Sequence, residues 1–506
     1  MTDTAHALGE SRTLWELLAR RADLTPDRPA LLQDDRTLGF GELRARAERV
    51  AAGLYDRGVR PGTVVAWQLP TRIETVLLSL ALARLGAVQS PVIPFYRDRE
   101  VGFALRESGA EFFAVPGEWR GFDHTEMAGR LAARGVFEAY DRLPDGDPAT
   151  LPAPPADGTS VRWIYWTSGT TSDPKGVLHT DRSLIAGGSC LAHALRLTPD
   201  DIGSIAFPYA HIGGPDYLVM LLLYGFPAVL FEHFALPAAL EGYRKHGVTV
   251  AGGSTAFYSM FLAEQRGRPD EPVIPSLRLL AGGGAPKPPE VYHSVVREMG
   301  VQLTHGYGMT EVPMITMGAP DDTVENLATT EGRPPAGMEI RIAENGEVRL
   351  RGEAVCQGYL DPAQSAAAFD ADGFFRTGDL GHLTGSGHLV LTGRLKDVII
   401  RKGENISAKE IEDLLHRHPA VRDVAVIGLP DAERGERVCA VVEVAEQPPG
   451  AGPLTLREVS EWLRAEGLSV HKLPEQVELV DALPRNETLR KVLKYKLRER
   501  YSGTVK

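Results

Sequence analysis

Through the first half of the chain, apolar runs of strand length alternate with apolar residues spaced three or four apart. From Phe40 to Leu54, the residues Phe40, Leu43, Ala47, Val50 and Leu54 fall on one helical face. Gly58 to Gly62 interrupts the pattern, and Thr63 to Leu69 then reads as a short buried strand. Ile73 to Leu85 reads as the next helix and Val88 to Ile93 as the next strand. Strands separated by helices imply βαβ units and mostly parallel sheets. At 506 residues the chain is too long for one core and is expected to hold two to four domains.

Two Pro/Gly-rich breaks punctuate it, Leu143 to Ser160 and Glu446 to Leu454. Composition alone places a domain boundary at the first, although the segment that follows needs walls from both sides. Charge offers a second cut. From Arg394 onward 20 basic residues meet 19 acidic ones, so this part is near neutral while the whole chain carries −12. That acidic balance argues against a nucleic-acid partner. The final stretch is basic (Arg485, Arg490, Lys491, Lys494, Lys496, Arg498, Arg500) and reads as a solvated face of an amphipathic helix. Three scattered cysteines, Cys190, Cys356 and Cys439, give neither a disulfide framework nor a zinc site and suit a reducing cytosol. The most apolar stretch, Tyr217 to Phe231, falls short of the ~20 residues a spanning helix needs. Gly225 and Pro227 break it, so it reads as a buried helix turning into a buried strand. A soluble, cytoplasmic protein without a membrane span is expected.

The segment Thr167-Ser168-Gly169-Thr170-Thr171-Ser172-Asp173-Pro174-Lys175-Gly176 follows the apolar strand Val161 to Trp166. It offers backbone N–H groups, hydroxyls and one lysine, which are the groups a polyphosphate needs. It is not a Walker A loop, because Pro174 stands where that motif has glycine and no Ser or Thr follows the lysine. It resembles the phosphate loop, T-S-G-T-T-G-x-P-K-G, of the adenylate-forming superfamily, which includes acyl-CoA synthetases, adenylation domains and beetle luciferases. Ser172 replaces a glycine of that pattern.

Further segments resemble the same family, in the family's order. Ala281-Gly282-Gly283-Gly284-Ala285-Pro286 resembles its adenine-facing turn, and Gly306-Tyr307-Gly308-Met309-Thr310-Glu311 its Y-G-x-T-E segment. The resemblance implies an aromatic cover for adenine from Tyr307, an α-phosphate contact from Thr310 and a Mg²⁺ ligand in Glu311. Phe375-Arg376-Thr377-Gly378-Asp379-Leu380 resembles the R-T-G-D motif, whose carboxylate accepts from the ribose hydroxyls. In Gly393-Arg394-Leu395-Lys396-Asp397, Arg394 would touch the ribose and Lys396 would be the hinge. Gly403 resembles the residue that lines the pantetheine tunnel for CoA. Pro484 to Lys494 resembles P-R-x-x-x-G-K, with Lys491 in the catalytic role, but the glycine is missing and one residue is inserted.

The resemblance covers nearly the whole chain. It implies an α/β fold: a large N-terminal domain, 1–393, with stacked mostly parallel sheets, and a small mobile α+β C-terminal domain, 394–506. It implies attack of a carboxylate on the α-phosphate of ATP, with Mg²⁺, followed by transfer to the thiol of CoA. Amino-acid-activating relatives carry an Asp where this chain has His211, which disfavours an α-amino acid; small and apolar residues around the expected pocket point to a hydrophobic acid, fatty, aryl or bulky alicyclic. His211, Gly213, Gly214, Phe257 and Met309 are the acyl-pocket candidates, and Gly252 and Gly253 also remove bulk nearby. A carrier protein or separate thiolating partner as acceptor, a homodimer, and a degenerate nucleotide-binding module without catalysis all stay open.

Overall fold

The computed structural model describes residues 3–131, 135–167, 174–285, 287–401, 404–431, 433–445, 453–486 and 490–502. The alternation read from the sequence becomes a six-stranded sheet ordered Lys175–Thr180, Val161–Thr167, Val88–Pro91, Val64–Trp67, Phe112–Val115, Gly135–Glu138. All its neighbours are parallel except the edge pair Lys175–Thr180 with Val161–Thr167. The helix Phe40–Asp56 leads into this sheet, and Ile73–Leu85, Asp98–Ser108 and His124–Arg130 connect its parallel strands. Every residue of Ile73–Leu85 is buried, so this helix runs inside the fold. Its one acid, Glu74, is held by Arg36 at 2.6 Å and Arg72 at 3.4 Å.

The Pro-rich stretch from Leu143 to Ser160 is not a domain boundary. Gln89, before it, registers against Trp163, after it, in one sheet. The stretch instead lies against the helix Phe40–Asp56, where a Cβ on Gly53 would sit 2.3 Å from the Asp145 backbone nitrogen. Prolines here shape a surface strap that needs few backbone donors.

A second sheet orders Gly203–Ile205, Ala228–Leu230, Pro29–Gln33 and Arg36–Gly39. A third orders Val250–Gly253, Leu279–Gly283, Gln302–Met309 and Val312–Met317, parallel but for its last pair. The apolar stretch at 217–231 folds as read. The buried helix Gly213–Tyr224 ends at Gly225 in the left-handed region (φ 71°), and the strand Ala228–Leu230 follows. A fourth, antiparallel sheet comprises Met338–Ile342, Glu347–Gly352, Phe375–Leu383 and Leu389–Arg394.

After the turn Leu395–Asp397 comes the C-terminal domain, a five-stranded sheet. Its longest pair, Val421–Asp431 with Gly435–Val444, is covered by the helices Ala408–Leu415 and Leu456–Ala465 around Ile411, Val424, Val438 and Val459. The opposite face carries the helix Lys494–Tyr501 through Leu497 and Tyr501. The basic run is therefore not one solvated face. Arg485 pairs with Asp423, Lys494 with Glu412 at 2.8 Å and Arg498 with Asp397 at 2.8 Å. Among the described residues, no helix is long and apolar enough to cross a membrane.

Candidate active site

Sheet register assembles the first part of the site. Asp379 and Arg394 stand opposite each other in the antiparallel pair Phe375–Leu383 with Leu389–Arg394. Arg394 Nε reaches Asp379 Oδ1 at 2.8 Å, while the Tyr307 hydroxyl donates to Asp379 Oδ2. Asp379 is only 4 % exposed. Its backbone N–H donates to Thr377 Oγ1 at 3.0 Å, and that hydroxyl donates to the Val348 carbonyl at 2.6 Å. Burial, reinforced by the Asp379 charge, pushes the Tyr307 phenol well up, so it stays a protonated donor. Each carboxylate oxygen keeps a further lone pair for a diol.

Thr310 and Glu311 form the turn between the strands Gln302–Met309 and Val312–Met317. This turn is anchored from two sides. His179 Nε2 lies 2.8 Å from the Thr310 carbonyl, and Cys356 N–H donates to the Glu311 carbonyl at 2.8 Å. The Tyr359 hydroxyl donates to Glu311 Oε1 at 2.8 Å, and Lys175 Nζ lies 4.9 Å from the Tyr359 ring centre. Tyr359 thus joins the lysine of the phosphate loop to the acid of the following motif, a role that sequence reading missed. A Gly-Tyr pair carries no chemical signal by itself. Thr167 pairs with Lys175 across the edge strands. Ser168, Gly169, Thr170, Thr171, Pro286 and Gly403 lie outside the described residues.

Lys491 comes from the C-terminal domain, on a short hairpin. Arg485 bridges to Val492, Asn486 N–H donates to the Lys491 carbonyl, and Lys491 N–H donates to Asn486 Oδ1, both at 2.9 Å. Arg490, at the place where the family pattern has glycine, adopts φ 58°, the left-handed conformation that glycine favours. Burial and the nearby Arg394 lower the Lys491 ammonium to about 8, against the opposing pull of Asp379 and Glu311. Burial first, and then Lys491, drives His211 down to about 3, so this imidazole is neutral. Lys491 shares one space with Arg394, Asp379, Glu311 and His211.

All five, with Tyr307's neighbours Gly306 and Gly308, line one cavity of about 850 Å³. Thr167, Lys175, Thr310, Met309, Gly213, Gly283, Gly284, Arg394 and Lys396 share that lining. Four expected residues are not on that lining. Tyr307, Ala285 and Phe257 line the adjoining cleft between the domains, where Phe257 packs on Phe234 with ring centres 4.5 Å apart. Gly214 lines neither space. A Cβ there would lie 2.1 Å from the Tyr209 carbonyl oxygen, so this glycine serves close backbone packing. Gly252 has both roles: it lines the cavity, and a Cβ on it would lie 2.0 Å from the Ala281 carbonyl oxygen.

Known proteins share this architecture. The family described as AMP-binding enzyme matches residues 18–360, and that described as AMP-binding enzyme C-terminal domain matches 410–489. The chain is 34 % identical to the salicyl-AMP ligase / salicyl-S-ArCP synthetase of Mycobacterium tuberculosis, over 94 % of this chain and 88 % of that protein. It is also 34 % identical to a methyl-dioxo-octahydro-indenyl-propanoyl:CoA ligase of the same organism, over 97 % of this chain and 99 % of that one. O-succinylbenzoate coenzyme A synthetase from Bacillus subtilis, solved with ATP and magnesium ion, superposes with a TM-score of 0.82 at 29 % identity. That match covers 95 % of this chain and 98 % of the other. Motif order, sheet architecture and these likenesses agree: the chain belongs to the AMP-binding enzyme family of the adenylate-forming superfamily and is an adenylate-forming ligase.

Proposed function

We propose that this ligase activates a hydrophobic carboxylic acid with ATP and passes the acyl group to the thiol of CoA. The observation that carries the reading is the position of Lys491. A cation from the C-terminal domain lines the same largely apolar cavity as Asp379 with Arg394, a ribose-type diol site, and the neutral His211.

In the first step, a carboxylate oxygen attacks the α-phosphorus, the bond to the β-phosphate oxygen breaks, and pyrophosphate leaves. Two anions must approach, so the barrier is largely electrostatic. Lys491 offsets that repulsion at the forming bond, Lys175 and Thr310 hold phosphate oxygens, and Asp379 with Arg394 fixes the ribose. Glu311 would hold Mg²⁺. It is a lone half-buried carboxylate with no group of three metal-ligating side chains around it among the described residues. That suits an ion taking one carboxylate and completing its shell with water and phosphate oxygens. When bound, the ion neutralises charge on the phosphates.

In the second step, a thiolate attacks the acyl carbonyl, the acyl–phosphate bond breaks and AMP leaves. A rotation at Lys396, in the turn Leu395–Asp397 between the two domains, would withdraw Lys491 and admit the thiol. The likeness to a salicyl-S-ArCP synthetase supports a second acceptor, the thiol of a carrier protein. ATP/pyrophosphate exchange across a library of carboxylic acids tests the first step. Mass spectrometry for acyl-AMP and acyl-CoA, with and without CoA, tests the second. Acyl-AMP that accumulates unchanged when CoA is added would assign the acceptor to a carrier protein.

A further inference from the structure

Lys491 lies three residues ahead of the last helix, Lys494–Tyr501. Leu497 and Tyr501 bury that helix against the C-terminal sheet. Its first residue is tied to the helix Ala408–Leu415: Lys494 Nζ lies 2.8 Å from Glu412 Oε1, which also accepts the Val426 N–H at 2.7 Å. The chain between Lys491 and the helix is short and held on the same hairpin. Leu493 N–H donates to the Pro484 carbonyl at 2.7 Å, and Val492 bridges to Arg485. Lysine and helix therefore move together.

A second tie leaves the same helix in another direction. Arg498 Nη2 donates to Asp397 Oδ1 at 2.8 Å. Asp397 closes the turn Leu395–Asp397, and the strand Val398–Arg401 of the C-terminal sheet follows it. On the other side of the turn, Arg394 is bound to Asp379 at 2.8 Å. Only Leu395 and Lys396 thus separate a residue held by one domain from a residue held by the other. The three Cα steps from Arg394 to Asp397 span at most about 10 Å.

Partly exposed ion pairs add little to stability, and a third of the Arg498 side chain is open to solvent. The place of this one gives it another use. Two contacts run between the domains, Ser407 Oγ to the Thr392 carbonyl at 2.6 Å and Arg417 Nε to Glu290 Oε1 at 3.3 Å, and a rotation would part them. The Asp397–Arg498 pair lies wholly on the moving side and would survive the rotation. Without it, the pivot would extend past Asp397, and Lys491 would swing on a longer, softer joint.

We propose that Asp397 and Arg498 are positioning residues for the first step: their ion pair confines the pivot to Leu395 and Lys396 and so returns Lys491 to one place in the cavity at each turnover. The inference rests on the role given to Lys491 above and acts through that residue.

The test is ATP/pyrophosphate exchange with whichever carboxylic acid the parent enzyme exchanges fastest. Asp397→Ala and Arg498→Ala should each lower kcat about 10- to 100-fold, because a misplacement of about 1 Å at a reacting centre costs on that order. The KM for ATP should stay within about twofold, since Asp379 and Arg394 are untouched. The double variant should be no slower than the slower single one, as expected of two residues that act as a unit. Arg498→Lys and Asp397→Asn should keep part of the rate, and they carry the test if the alanine variants fail to fold. The decisive readout uses the residual exchange of Lys491→Ala, in which adding Asp397→Ala should change the rate less than about twofold. Lys472→Ala, which breaks a 2.7 Å pair with Glu410 in the same domain, should leave exchange unchanged and controls for general loosening. Unchanged kcat in both single variants overturns the proposal, as do losses that multiply in the double variant. A loss of equal size with and without Lys491 overturns it too, because that would make the pair merely structural. Impaired Lys491→Ala beside unimpaired Asp397 and Arg498 variants leaves the adenylation reading standing, whereas undiminished exchange in Lys491→Ala would bring down both.

Discussion

The two sides of the site are built by different means. On the N-terminal side, Asp379, Arg394 and Tyr307 are fixed by strand register and hold one another through direct bonds. On the C-terminal side, Lys491 rides on a hairpin held by a few backbone and amide bonds, with Arg490 in an unfavourable backbone conformation. One side is set within the N-terminal part of the chain; on the proposed mechanism the other is delivered by the C-terminal domain. A rigid side suits recognition, because ordering costs are met on folding. A side on a separate domain suits chemistry that must be applied and then withdrawn. Binding and rate should therefore come apart under mutation.

The largest effect is expected from Lys491→Ala. Without the cation between the two anions, adenylate formation should fall by about 10³-fold, the order seen when one preorganised charge-stabilising donor is lost. ATP affinity, measured by calorimetry, should change little. Weakened ATP binding with intact exchange would reverse the assignment of the two sides. Asp379→Ala should do the opposite, though less strongly. It removes the acceptor of the diol site and leaves Arg394 and Tyr307 without their shared partner, so ATP affinity should drop about 10- to 100-fold. An unaltered ATP affinity would remove Asp379 from ribose recognition.

The same contrast explains what the sequence disclosed. The helix Ile73–Leu85 was readable to its ends, because its apolar run stops at Gly86, a left-handed helix end. The motif residues stand out in the sequence because each carries its chemistry in its own side chain. Tyr359 does not, since its role depends on lying between Lys175 and Glu311, which only the folded register brings about. The Pro-rich strap misled because composition reports flexibility of the chain, not which strands pair across it. The basic C-terminal run misled because the acids that neutralise it, Asp397, Glu412 and Asp423, are distant in sequence.

A smaller effect concerns pH. In the proposed reaction Lys491 works as an ammonium, and burial together with Arg394 brings its loss of charge down to about 8. The active form therefore dominates below pH 8 and is lost above it. The profile of kcat/KM for the acid, which reports the free enzyme, should fall about tenfold per unit on the alkaline side. Lys491→Arg should flatten that limb even while lowering the plateau, since guanidinium keeps its proton. His211 already sits at about 3 and adds no acid limb near neutrality. An alkaline limb that persists in Lys491→Arg would assign the titration to another group.

The smallest expected effect lies one residue before the lysine. Arg490 holds φ 58°, where a side chain costs about 1–2 kcal/mol that glycine avoids. Its carbonyl accepts from Arg485 Nη1 at 2.7 Å, and Arg485 is itself held by Asp423, so the hairpin is fixed around the strained residue from outside. Arg490→Gly should relieve the local cost while leaving those carbonyl contacts in place. Greater freedom of glycine in the unfolded chain offsets part of the gain, leaving about 0.5–1 kcal/mol of net stabilisation. Denaturant unfolding should report that gain, with the first-step rate within about threefold of the parent. A large rate loss without a stability change would mean that the Arg490 side chain, rather than the backbone turn it occupies, positions Lys491. In that case the delivered side of the site would be as strongly preset as the fixed one.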